Sequence, residues 1–428
     1  MNLAARLRDV VGTVRRPGSA SAEGPADPAC TDIADTLGGE WREARGQRYL
    51  VIDTKFSPGY RHGHTAVADC LPPDDGMWPM LPLLEPAARH GRLVFVDLET
   101  TGLAGGAGTC AFLVGCGWFE PPSPSASAGQ AACFRVRQFF LASHAAERAL
   151  LEGVAEVAGG ATGVVTYNGK SFDLPLIETR FLYHRMETPF AGVAHVDMLH
   201  PARRLWRGDD VRLPADATSC RLTTLEQTLL GHVREGDVPG FEIPARYFHY
   251  VRTSDARPLH AVLEHNRLDL LALAMLTARA ARLLEDGPQA ARTAREAYGL
   301  GRLYERAGRL SDAKLCYARA FDDAVLAPEA LRVYAILCRR ERQHVDAAAA
   351  WRRVLALRRC PPPIAREAAE ALAVHLEHRE RDPGAARRYA LQLLQSNISR
   401  RRVEAVQYRL ARLDRKLGAP TPDVAPLF

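Results

Sequence analysis

Residues 92–102 read RLVFVDLETTG. Positions 93–96 are an unbroken apolar run, the pattern of a strand covered on both faces. Asp97 and Glu99 follow at i and i+2, so both side chains leave the strand on one side. Two carboxylates at the end of an apolar strand are costly unless they hold a cation. Working outward, TCAFLVGCGWF (109–119) and CFRVRQFFL (133–141) read as two more strands, joined by the turn or flexible stretch PPSPSASAGQ (121–130). Connections this short make an antiparallel meander. HAAERALLEGVAEVA (144–158) has helical spacing and GVVTYN (163–168) is a strand. A helix then runs from Asp173 to Arg185, and VAHVDML (193–199) is a fifth strand. Apolar spacing over 259–284 predicts one long helix. The order βββαβαβα predicts an α/β domain over 91–286, a mixed five-stranded sheet with flanking helices.

Strand signals stop after residue 290, and 290–417 reads as an all-α domain. Ala297, Leu300, Gly301, Tyr304, Ala313, Tyr317 and Ala320 are matched 34 residues later by Leu331, Tyr334, Ala335, Cys338, Ala347, Trp351 and Val354. A looser third unit, offset by 38, has Ala369, Leu372, Ala373, Leu376, Ala385 and Tyr389. Small residues let paired helices approach, and aromatics fill the gaps between neighbours. This pattern resembles the tetratricopeptide (TPR) repeat. At the other end, residues 1–36 read as a basic or disordered tail: a short charged segment, then the Ala/Pro/Ser/Gly-rich linker 16–36. RYLVIDTKF (48–56) alternates like a strand. Residues 37–90 are expected to form an extension packing on the α/β domain, as part of its core or as a separate cap. Residues 418–428 read as a C-terminal tail.

The chain has 428 residues, 47% hydrophobic and 25% charged, which is ordinary globular composition. That length predicts two to three domains. No run of about 18 apolar residues occurs, which argues against a transmembrane helix. Residues 1–18 lack the apolar core of a signal peptide. Nine cysteines with no C-x-x-C argue against a disulfide framework and against a zinc ribbon. These readings predict a cytoplasmic protein with no membrane partner. The net charge of +6 is uneven: residues 291–428 carry 27 Lys and Arg against 16 Asp and Glu, and residues 1–290 carry 29 against 34. A basic C-terminal third points to nucleic acid or an acidic partner. In a chain with only four lysines it reads equally well as an arginine-rich helical surface set by genome composition.

Two more acidic positions stand beside the first pair. Asp173, in TYNGKSFDLP, begins the helix after the fourth strand, and Asp269, in EHNRLDLLAL, lies on the long helix. His265 is four residues before Asp269, on the same helical face. Oxygen ligands from a strand end, a helix start and a later helix can converge on Mg²⁺ or Mn²⁺. Four carboxylates around two such ions suit phosphodiester hydrolysis by a metal-bound water, with His265 as proton acceptor. Each position also has a structural alternative. Asp173 suits a helix N-cap, and His265 can cap or pack against Asp269. Asn168 is a turn former in YNG or a polar contact to substrate. Asp197, at the end of the fifth strand, reads as structural. Arg203, Arg204, Arg207 and Arg212 suit phosphate contacts, offset by Asp209 and Asp210. GLAGGAG (102–108) lacks the Lys-Ser/Thr of a P-loop and reads as a flexible loop beside the site. His62 and His64, in GYRHGH, can share a face and a metal only with a third ligand, which the neighbouring sequence does not offer.

VDLETTG (96–102), TYNGKSFDLPLI (166–177) and HNRLD (265–269) resemble, in order, the three motifs of the DEDD exonucleases, the DnaQ-like proofreading members of the ribonuclease H-like superfamily. The resemblance implies that Asp97, Glu99, Asp173 and Asp269 are metal ligands and that the reaction is 3′-to-5′ exonucleolysis of DNA or RNA. It also implies that the backbone at Thr101 and Gly102 approaches the terminal nucleotide, the alternative being an ordinary tight turn. Members with a histidine base carry it five residues before the last aspartate. The spacing here is four, so His265 stands where other members have tyrosine. HVDMLHPARRLW (195–206), CRLTTLEQTLLG (220–231) and REGDVPG (234–240), with the C-terminal repeats, are similar to the YprB-type ribonuclease H-like proteins. These join such a domain to TPR repeats and include the bacterial mitomycin repair factor exonuclease, which works with a DExH helicase. That likeness implies DNA as the favoured substrate, a role in DNA repair, and a helicase or other protein partner for the helical domain. Two rivals remain at this level. One is a TPR scaffold with a non-catalytic nucleic-acid clamp; the other is a structure-selective endonuclease on the same fold.

Overall fold

The computed structural model describes residues 32–72, 85, 91–102, 108–120, 132–207, 220–395 and 399–418. Glu40–Ala44 (β1) and Gln47–Phe56 (β2) form a hairpin. Its two linking residues, Arg45 and Gly46, take φ of 53° and 72°, the positive pair whose twist matches the flanking strands. Arg61–His62 (β3) and Thr65–Ala66 (β4) pair as a separate ribbon. Leu93–Thr100 (β5), Ala111–Glu120 (β6) and Cys133–Phe140 (β7) form the expected meander, followed by Gly163–Thr166 (β8) and Ala194–Asp197 (β9). The large sheet has the order β1-β2-β7-β6-β5-β8-β9. β5, β8 and β9 are parallel, and the other neighbours are antiparallel.

The architecture is the expected mixed α/β sheet with flanking helices, but it has seven strands and not five. The additional pair is the β1–β2 hairpin. β2 runs along β7 from Leu50↔Phe140 to Phe56↔Phe134, so residues 40–56 form one edge of the sheet. The N-terminal tail also ends earlier than residue 36. Ile33–Leu37 is a helix capped by Asp32, whose carboxylate accepts from Ala34 N (3.1 Å) and from Trp41 Nε1 of β1 (2.9 Å). The basic segment and linker before residue 32, Arg212, positions 103–107 of the Gly-rich loop and the tail beyond 418 lie outside the described residues.

β5 divides its side chains between two cores. Leu93 and Phe95 pack with Leu270, Leu273 and Leu276 of the 27-residue helix His260–Asp286. Val94 and Val96 pack with Leu150, Val154 and Val157 of the helix Glu147–Ala158 on the opposite face. Alternation therefore turns Asp97 and Glu99 toward the long helix. That helix lies close on β6 because position 115 has no side chain. A Cβ there would stand 2.3 Å from Asn266 Oδ1 and 2.7 Å from Leu270 Cδ1.

Among the described residues, seven α-helices follow, from Ala294–Arg306 to Arg400–Lys416. The recurring positions of the first two repeat units point inward, with Tyr334 half-buried and the others buried. Gly301 gives the first helix pair its close approach, since a Cβ there would lie 2.8 Å from the Tyr317 ring. The core does not break at the junction. Ala297, Leu300, Tyr304 and Tyr317 share one apolar cluster with the long helix, and Tyr304 donates to Leu284 O at 2.7 Å. No helix among the described residues is long and apolar enough to cross a membrane.

Gly115→Ala should push the long helix off the sheet. A loss of about 1–3 kcal/mol is expected for this overpacking, read as a lowered midpoint in chemical or thermal unfolding.

Candidate active site

β5 and β8 run parallel, so their carboxyl ends lie on the same side, where open α/β sheets tend to place their sites. The β5–β6 register shifts between Glu99 and Thr100, an irregularity of the kind that re-aims side chains at strand ends. Asp97 and Glu99 are half-buried there. Asp173 arrives from β8 through a turn organised by Asp197. One Asp197 oxygen accepts from Asn168 N (2.7 Å) and Leu199 N (3.1 Å), and the other from Lys170 N (3.1 Å). Asn168 sits at φ 67°, a left-handed position that asparagine tolerates. Asp173 is then the first residue of the helix Asp173–Tyr183, and Phe172 holds the N-cap position with no side-chain bond.

The Asp269 charge acts on each of the other three acids. Burial pushes the Asp97 carboxyl well above the usual carboxylate range, and the charges of Asp269, Glu99 and Asp173 push it further. Burial also raises Glu99, followed by repulsion from Asp269, Asp173 and Asp237. Asp173 is pushed up to about 6 by burial, with Asp197 and Asp269 repelling it. Its bonds from the backbone N–H groups of Asp173 and Leu98 work the other way. Self-repelling oxygen donors of this kind are what a hard divalent cation neutralises.

His265 lies beside the cluster. Its Nδ1 is 2.7 Å from Asp237 Oδ1, and its Nε2 is 3.7 Å from Asp269 Oδ2. Burial works against ionisation of Asp237, but the His265 bond and the charges of His265 and Arg234 hold its pKa below the ordinary value. An ionised Asp237 can only accept, so His265 Nδ1 donates to it, and Nε2 faces Asp269.

Five side chains that shape the site were not singled out from the sequence. Asn266 is fully buried and donates to both Asp97 Oδ2 (2.7 Å) and Asp97 O (3.2 Å). Gln138 in turn donates to Asn266 Oδ1 and to Leu263 O, each at 2.8 Å. Arg234, with 5% of its side chain exposed, reaches Glu226 Oε2 (2.6 Å), Asp269 Oδ1 (2.6 Å) and Asp237 Oδ2 (3.3 Å). Burial disfavours its charge, but Asp269 and Glu226 raise its pKa above the usual guanidinium value. The available signals were slight: a polar residue inside HNRLD, and the charged stretch REGDVPG.

Other candidates fall elsewhere. Thr101 ties the turn to the start of β6, donating through N to Cys110 O (3.0 Å) and accepting at Oγ1 from Cys110 N (3.1 Å). Among the described residues, a side chain at Gly102 would meet only Thr109 Oγ1, at 3.8 Å. Arg203 is exposed on the helix Leu199–Leu205, and the Arg204 carbonyl lies under Gly299 of the helical region. His62 does not pair with His64. It is buried with Glu226 and His232, their ligand atoms lying within 4.8 Å of one another, whereas His64 lies over Gly231. Both Glu226 oxygens are already used, one by His62 Nε2 (2.6 Å) and the other by Arg234. His62, Glu226 and Arg234 thus form a hydrogen-bonded chain, with the His232 ring stacked on His62 at 3.8 Å.

Residues 94–281 match the family model described as the RNase_H superfamily. With its mixed sheet and flanking helices, this part of the chain is a ribonuclease H-like domain. The chain is also similar to YprB of Bacillus subtilis (strain 168), described as uncharacterized. The two are 29% identical over 380 residues, 86% of this chain and 86% of that protein.

Asp173 titrates near 3.8 in an unfolded chain and at about 6 here, so the native state binds its proton more tightly. This stabilisation is full below about pH 3.8 and is lost as pH rises through about 6. In EDTA the melting temperature should therefore fall across that window. Asp173→Asn should flatten the fall and leave the metal-free protein about 1–3 kcal/mol more stable than wild type at pH 7. Unfolding of both proteins across pH 4–8 measures it.

Proposed function

We propose that this protein is a metal-dependent exonuclease that removes nucleotides from a 3′ end, with DNA the favoured substrate and RNA the other, in cytoplasmic DNA repair. One observation carries the reading: Asp97, Glu99 and Asp173, from a strand end and a helix start, are each raised by burial, and the Asp269 charge on the long helix acts on all three. Arg234, Asn266 and backbone N–H groups offset part of the cost of gathering these acids, and a cation would offset the rest. These four would hold a pair of Mg²⁺ or Mn²⁺ ions. When bound, such ions activate a water and stabilise the leaving oxygen of a phosphodiester.

The protein's own groups do the rest. His265 Nε2 accepts the water's proton, and Asp237, bonded to Nδ1, stabilises the imidazolium that results. Asn266 holds the Asp97 carboxylate in orientation. Thr101 and Gly102 offer backbone, and Asn168, Arg203 and Arg204 polar contact, to the nucleic acid. The helical region serves as a TPR-like docking unit for a helicase or another protein. The match of residues 94–281 supports nuclease chemistry, and the similarity to YprB over most of both chains supports the combination with a helical region.

The test is degradation of 3′- and 5′-labelled single- and double-stranded DNA and RNA with Mn²⁺ or Mg²⁺. Stepwise shortening from the 3′ end is expected, abolished by EDTA and reduced at least about a hundredfold in Asp97→Ala. Cleavage of end-blocked circles would favour the endonuclease, and binding without cleavage by either protein would favour the scaffold. His265→Ala should lower the single-turnover rate about 10²–10⁴-fold with little change in nucleic-acid affinity. An unchanged rate would remove His265 from the base role.

A further inference from the structure

Arg234 meets three carboxylates that come from three different places. Its Nε bonds Glu226, which is 1% exposed, at 2.6 Å. One terminal nitrogen bonds Asp269 Oδ1 at 2.6 Å, and the other lies 3.3 Å from Asp237 Oδ2. Glu226 is itself held from behind by His62 Nε2 at 2.6 Å, inside a fully buried contact. The anchor is therefore rigid, and it sits on a segment remote in sequence from the long helix. Asp269 has two oxygens. Arg234 takes Oδ1, and Oδ2 is left toward His265 Nε2 at 3.7 Å.

We propose that Arg234 is a positioning residue for Asp269: its guanidinium, braced by Glu226 and His62, fixes one carboxylate oxygen so that the other is presented to the cation site. This deepens the nuclease reading and rests on it. A metal-ligating carboxylate needs its second oxygen restrained, because a free carboxylate spreads over rotamers that do not ligate. A planar fork can serve three acids from three nitrogens at once, and lysine cannot. Arg234 also lowers the repulsion Asp269 feels from the other acids without occupying the oxygen that ligates. The chain His62–Glu226–Arg234–Asp269 thus extends the site to the β3–β4 ribbon, which no motif predicts.

The experiment measures Mn²⁺ binding to the full chain directly, by EPR of free Mn²⁺ and by calorimetry, with no nucleic acid present. Wild type, Arg234→Met, Arg234→Lys, Glu226→Gln, Asp269→Asn and the Arg234→Met/Asp269→Asn pair are compared, each with its melting temperature. Arg234→Met is expected to weaken the Asp269-dependent Mn²⁺ about 10–100-fold. Arg234→Lys should fail to restore it, and Glu226→Gln should give a smaller loss. The double variant should bind no worse than Asp269→Asn alone, because both changes remove one arrangement. If Arg234→Met does not fold, Arg234→Lys and Glu226→Gln carry the comparison. Wild-type Mn²⁺ affinity in the arginine variants, or additive losses in the double variant, would overturn the positioning role alone. A wild type that binds no Mn²⁺ would overturn the nuclease reading and this role together.

Discussion

The contact on which the site depends is the bond from Asn266 to Asp97. It joins the long helix to the end of β5 through both the carboxylate and the carbonyl of Asp97. Asn266 and Asp269 are three residues apart, hence on one helical face. Fixing the first amide fixes where the second carboxylate falls. A one-residue slip would rotate Asp269 by about 100° and carry it out of the cluster. Two other residues make the bond tenable in a dry interior. Gly115 leaves the volume that the amide fills, and Gln138 satisfies the amide oxygen. A buried amide with both ends bonded specifies a single register, where an apolar contact would tolerate several.

Held in that register, the helix closes a site that works against the stability of the fold. The acids on β5 and at the start of the helix Asp173–Tyr183 are partly desolvated and repel one another. The surroundings oppose this unevenly. Asp173 receives backbone N–H groups at a helix start, where the helix dipole favours an anion. Asp269 receives Arg234. Asp97 receives a neutral amide, and nothing comparable in charge faces Glu99 among its leading influences, which are burial and three acids. The β5 pair is thus the least compensated part of the cluster, where a cation would gain most.

The parts legible in the sequence were those written in local pattern. The apolar run and carboxylates of 92–102, the meander, the fourth and fifth strands and the long helix each show in a window of about ten to twenty residues. The hairpin at 40–56 was only half legible. Residues 48–56 alternate as a strand, but their pairing with β7 joins segments about eighty residues apart, and no local window carries that. The supporting polar residues were hidden for the same reason. Asn266 finds Asp97 across 169 positions, and Arg234 finds Asp269 across 35. Their types are common in helices and loops, and only the fold shows that they point inward. His62 is instructive in another way. Its neighbour His64 suggested a local pair, but the β3–β4 ribbon turns His62 into the core against Glu226 and leaves His64 over Gly231.

The helical region bears on the site through the same long helix. Asn266 and Asp269 lie in its first half. Its second half is gripped by residues beyond 290: Tyr304 bonds Leu284 O, and Arg279 bonds Glu296. Glu296 is buried and also receives Trp206 Nε1 from the helix that follows β9. One carboxylate therefore clamps the end of the sheet domain, the long helix and the first helix of the helical region. An apolar cluster runs through all three without a gap. The long helix is thus held in its second half by the helical region and in its first half by the Asn266–Asp97 bond. The helical region is on this account joined by a continuous core to the helix that carries Asp269, and not tethered beside it.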